Sequence, residues 1–114
     1  MLYHKQLGFP KTLELPEKEI LVPQYSLHAK RSANDDRYGF IKLPEVLKIE
    51  KHNIIEVETE DNITPTKIML RVQYTNTLDL CLVYNVQDTL VRTVWLNKST
   101  DRHASLDKSK YTRY

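Results

Sequence analysis

Two stretches of this 114-residue chain carry the residue types that proton transfer and phosphate binding require. In YSLHAKRSANDDRYG (Tyr25 to Gly39), His28, Arg31 and Asp35 follow i, i+3 and i+7 spacing, which sets them on one face of a helix. Imidazole changes charge near neutrality and moves protons, and a guanidinium beside it holds a phosphate. The same spacing also describes a solvated helical face with one Arg31–Asp35 ion pair. In the second half, Arg71, Gln73, Thr93 and Asn97 fall on alternating stretches and would project from adjoining strands onto one face. A fixed cation, a hydroxyl and amides there would clamp a phosphodiester and stabilise charge developing on it. Trp95 shares their row and offers a base a stacking surface. The other reading is a polar sheet face that keeps the domain in solution, with Trp95 packed on the N-terminal segment. His103, close to Asp101 and Asp107, is a candidate second proton carrier.

Other chemistries are excluded or unsupported. With only two glycines, Gly8 and Gly39, the chain has no glycine-rich phosphate loop. Cys81 is the one cysteine, so no intrachain disulfide forms and no close His/Cys ligand pair exists; neither a metal nor a cofactor is expected. No nucleophile elbow and no diagnostic pair of carboxylates is present. No apolar run reaches roughly 18 residues and the N-terminus lacks the apolar core of a secretory leader, so the expectation is a cytoplasmic protein without a membrane span.

Net charge is only +2, but it is unevenly spread. Glu50 to Asp61 holds five acidic residues against Lys51, whereas Lys98 to Tyr114 holds five basic residues against Asp101 and Asp107. That argues against a protein that coats nucleic acid on every side, and the basic end is either a weak phosphate attractor or a solvated terminus.

The elements that must position these residues follow from periodicity. Residues 1–24 contain Pro10, Pro16 and Pro23 and read as an extended arm, with one edge strand near Glu19 to Val22. Ser26 caps a helix from Leu27 to Arg37 that ends near Gly39, and Pro44 opens a second, shorter helix, PEVLKI. Four stretches then alternate with period two: Ile54 to Glu60, Lys67 to Tyr74, Leu78 to Val86 and Leu90 to Asn97, with short turns between. The expected architecture is α+β, two short N-terminal helices packed on a four-stranded antiparallel meander. The arm (1–24) precedes a single domain (25–100), and a basic tail (101–114) follows it.

The order helix, helix, four-stranded meander resembles the barnase, EndoU, colicin and RelE group of small ribonuclease-like folds. Tyr25 to Gly39 is similar to the histidine-bearing helix of toxin and phage members, and Leu90 to Asn97 to the group's final strand, with its Thr followed by an aromatic. The resemblance implies His28 as acid/base, Arg31 and Arg71 as phosphate holders and Thr93 as an active-site hydroxyl. Gln73, Trp95, Asn97 and His103 would then contact substrate. It departs from RelE-like toxins in lacking a lysine-rich strand face. The implied activity is RNA binding or metal-independent RNA cleavage, with RNA and a host or cognate inhibitor protein as partners. The alternative is a noncatalytic phage or mobile-element protein that binds and inhibits a host protein, using Trp95, Tyr111 and Tyr114 at its interface.

Overall fold

The computed structural model describes residues 1–101 and 108–113. In chain order the elements are β1 (Leu2–His4), β2 (Lys18–Ile20), β3 (Gln24–Tyr25), α1 (Leu27–Asn34), β4 (Leu47–Ile49), β5 (Ile54–Thr59), β6 (Pro65–Gln73), β7 (Leu78–Asn85) and β8 (Leu90–Lys98). Short 3-10 turns lie at Lys5–Leu7, Lys51–Asn53 and Lys108–Lys110.

Strands β5 to β8 run antiparallel in sequence order, but they are the middle of a larger, mixed sheet of six strands ordered β1-β5-β6-β7-β8-β3. β1 joins antiparallel to β5, and β3 joins parallel to β8 through Gln24↔Leu90 and Tyr25↔Val91. The expected two-helix, four-strand architecture is therefore corrected. Only α1 is an α-helix among the described residues, and the second half of PEVLKI, Leu47–Ile49, forms β4, paired antiparallel with β2 in a separate two-stranded sheet. The reason is legible in burial: Leu47 and Ile49 are buried while Lys48 between them is exposed, a period-two pattern that a strand satisfies and a helix does not. Pro44 opens no helix; its carbonyl instead accepts the Tyr25 hydroxyl at 2.6 Å. Burial pushes the Tyr25 phenol up to about 12.

The apolar face of the large sheet is covered by α1 and the β2–β4 pair. Ile68, Leu70, Leu80, Leu82, Tyr84, Val91, Val94 and Leu96 from the sheet meet Ala29 and Ala33 from α1 and Leu47 and Ile49 from β4. Burying each large aliphatic chain contributes about 1.5–3 kcal/mol. α1 is short because it has a narrow apolar stripe, Ala29 and Ala33 alone being buried. Its start is anchored by Ser26, whose Oγ accepts the Ala29 N–H at 3.0 Å and donates to the Arg92 carbonyl at 2.8 Å. It ends at Asn34 rather than Arg37, and Gly39 (φ 108°) turns the chain back so that Ile41 N–H reaches the Ala33 carbonyl at 2.8 Å.

Bulges alter which side chains share a face. Tyr84 pairs with Val91 and Val83 with Thr93, so Arg92 is the extra residue. Val91, which strict alternation puts beside Trp95, is turned into the core at 0% exposure. A second register shift between Ile54 and Glu56 puts Ile54 in the core and leaves Ile55 outside it.

The β5–β6 turn is held by Asp61, whose Oδ1 accepts the Thr64 and Ile63 N–H groups at 2.8 and 2.9 Å. These two backbone donors, Thr64 first, hold its carboxyl below the ordinary 3.8. A depressed folded-state value stabilises the fold above the unfolded-state value, and that contribution is lost as pH falls through the folded-state value. The urea midpoint of the native chain should therefore fall as pH is lowered below about 4, and Asp61→Asn should show a shallower fall over the same range. Equal slopes for the two proteins would contradict this role.

Candidate functional site

His28, Arg31, Thr93 and Trp95 line one groove of about 660 Å3 between α1 and β8, together with Asp35 and Arg37. The helix supplies the charged wall: His28, Arg31 and Asp35 are exposed on the side away from buried Ala29 and Ala33. The strand supplies the other wall. Thr93 and Trp95 alternate with Val94 and Leu96, which point into the core. Asp36 fastens the two walls together. Its Oδ1 accepts the Leu96 N–H on the outer edge of β8 at 3.1 Å, and its Oδ2 accepts the Tyr38 N–H at 3.0 Å. The aspartate thus also occupies a strand edge that would otherwise present a free amide.

The groove's arginines are not held in ion pairs among the described residues. The expected Arg31–Asp35 ion pair is absent, and among the described residues neither Arg31 nor Arg37 lies within ion-pair distance of a carboxylate. Arg37 Nη2 donates to Asn97 Oδ1 at 3.3 Å, and its guanidinium lies 4.8 Å from the Tyr38 ring centroid. Backbone N–H groups engage both oxygens of Asp36, which turns that carboxylate toward the loop and β8 and leaves the two guanidinium groups without a carboxylate within ion-pair distance among the described residues.

Arg71 and Gln73 line a different cleft. Arg71 shares with Cys81 and Trp95 a row that crosses β6, β7 and β8, so it stands two strands from the groove. Its Nε donates to Asp79 Oδ2 at 2.8 Å and its Nη2 to the Lys98 carbonyl at 2.8 Å, with the Arg71 and Asp79 side chains 11% and 19% exposed. Gln73 and Asn97 flank Asp79 in the next row. The second cleft, about 670 Å3, also receives Lys5, His4 and His52. His103 lies outside the described residues.

The sequence left His4 and His52 without context. His4 is 1% exposed, its Nδ1 accepts the Gln6 N–H at 3.0 Å, and its ring meets Tyr111 edge-on at 4.9 Å. The Tyr111 hydroxyl donates to Glu56, and the Thr112 N–H donates to the Leu2 carbonyl at 2.7 Å. β8 leaves the sheet next to one edge, and by Tyr111 the chain is at the opposite edge, against β1. Tyr111 is thus committed to an intramolecular contact. His52 is exposed and pairs with Glu50 at 3.3 Å. Cys81 is buried, and desolvation pushes its thiol up to about 11 against the opposing pull of Arg71, which leaves it a packing residue rather than a nucleophile.

Arg37 and Asp36 are the charged groove residues that sequence reasoning missed. Reading the helix through to Arg37 treated both as continuing helical turns. The DDRYG run, ending in a glycine, was the available signal for a loop that closes over the next strand. Among the described residues no cluster of three or more His, Cys, Asp or Glu side chains forms a metal site, and no helix is long and apolar enough to cross a membrane. Comparison with protein-family models, with curated proteins and with solved structures yields no match to this chain.

Proposed function

We propose that this chain is a small RNA-handling domain that takes a phosphodiester strand into the α1–β8 groove and cleaves it by transesterification. The reading rests on one observation: His28, Arg31, Thr93 and Trp95 share a groove whose arginines have no carboxylate partner among the described residues. In this chemistry His28 removes the proton of a ribose 2′-OH, and the resulting alkoxide attacks the adjacent phosphorus. The 5′ oxygen leaves as a proton is delivered to it, and a 2′,3′-cyclic phosphate remains. Arg31 and the Thr93 hydroxyl donate to the nonbridging oxygens, where negative charge accumulates. Of the two carboxylates in the same groove, Asp36 is held by backbone N–H groups, and the exposed Asp35 is the one placed to relay a proton from water to the leaving oxygen.

The test is incubation of the purified chain with RNA, with and without a chelator, alongside Arg31→Ala. The expected result is chelator-resistant cleavage that leaves cyclic-phosphate ends, with RNA affinity at least about tenfold weaker in the variant. An inert mixture in which RNA is neither bound nor cut would overturn the proposal. So would an Arg31→Ala protein that behaves like wild type.

A second reading, a noncatalytic module that docks on a host protein, is favoured by a different feature. Leu21, Val22 and Leu27 are 68%, 82% and 63% exposed within seven consecutive residues that span the β2–β3 turn and the start of α1. Binding to a protein partner that is abolished by Leu27→Asp, with no effect of Arg31→Ala, would favour that reading.

A further inference from the structure

Taking the α1–β8 groove as an RNA site, we infer that Arg37, and not Arg71, is the second phosphate-holding residue. The groove needs a second cation because one guanidinium neutralises only part of the charge of a strand lying along it. Arg71 is pinned by Asp79 and the Lys98 carbonyl and stands two strands away, so its charge is already answered. Arg37 lines the groove itself. Among the described residues it has no carboxylate partner, and it makes one hydrogen bond to Asn97 Oδ1 at 3.3 Å and a contact with the face of the Tyr38 ring. Those two contacts orient the planar fork while leaving donors for a bidentate grip on phosphate. Because Asn97 accepts from Arg37, it is a positioning residue that acts through the arginine. Asp36, next in the chain, anchors this loop to Leu96 and so sets where the fork is presented.

Salt dependence separates a phosphate contact from a structural one. For a single strand, log affinity falls with log salt with a slope of about −0.7 per neutralised phosphate. Binding of a short 2′-O-methyl oligouridine, which cannot be cleaved, is measured across a salt series for wild type, Arg31→Ala, Arg37→Ala, Arg37→Lys, Asn97→Ala and Lys48→Ala. Lys48 lies on β4, away from the groove, and controls for loss of one positive charge.

Arg37→Ala should weaken binding about tenfold at low salt and make the slope shallower by about 0.7. Arg37→Lys should restore the slope, since the charge returns, while recovering only part of the affinity, since the fork does not. Asn97→Ala should weaken binding by less, roughly threefold, with the slope kept. Lys48→Ala should match wild type. If Arg37→Ala keeps the wild-type slope and affinity while Arg31→Ala loses both, Arg37 holds no phosphate and the groove reading survives. If wild type binds no oligouridine, or Arg31→Ala also binds normally, the groove reading and this inference fall together. Far-ultraviolet circular dichroism of each variant, with Arg37→Lys as the near-isosteric case, separates lost binding from lost folding.

Discussion

Replacing Arg71 with alanine should lower the folding free energy by about 3 kcal/mol and leave RNA affinity in the groove unchanged. The guanidinium is nearly enclosed, and it makes short hydrogen bonds to the Asp79 carboxylate and the Lys98 carbonyl. Removing it strands a carboxylate that is itself largely out of water and an acceptor at the end of β8. Replacing both partners at once, Arg71→Met with Asp79→Leu, should recover most of the loss, because no unpaired charge then remains. Urea unfolding reads the stability, and oligouridine titration well below the transition reads the site. A stable Arg71→Ala protein with impaired RNA binding would return this arginine to the functional machinery and undo the separation of the two clefts.

Replacing His28 with alanine should reduce RNA cleavage by about 10²–10⁴-fold, the range a positioned acid/base supplies. Its effect on stability should stay within about 0.5 kcal/mol, because the side chain is exposed on α1 and outside the core. Single-turnover rates report the first quantity and chemical denaturation the second. A second readout separates proton transfer from a structural role: affinity for uncleavable oligouridine should persist in His28→Ala. Cleavage at the wild-type rate in this variant would remove the histidine mechanism, whatever the groove binds.

The site was partly visible in one dimension. His28, Arg31 and Asp35 recur at helical spacing, and a serine two residues before His28 caps that helix, so their shared face followed from local geometry. Thr93 and Trp95 are two apart on a strand and must share a face. Their meeting across the groove depended on where α1 docks, and local periodicity is silent on that. Arg71 illustrates the limit. Alternation placed it on the same sheet face as Trp95, correctly by register, yet the distance across two strands and the claim of Asp79 on its charge are properties of pairing, not of spacing.

The amino-acid sequence alone determined the strand-forming character of residues 54–98, the capped start of α1 and the small number of side chains able to move protons or hold phosphate. These depend on neighbours within a few positions, where backbone sterics and side-chain alternation decide. Tertiary structure alone decided that PEVLKI ends in strand β4 rather than forming a helix, that β1 and β3 extend the sheet at its two sides, that a bulge at Arg92 turns Val91 inward, and that Arg37 rather than Arg71 faces His28's groove. Each of those outcomes is set by hydrogen-bond partners and burial that come from distant parts of the chain: β4 exists because β2 offers it an edge to pair with.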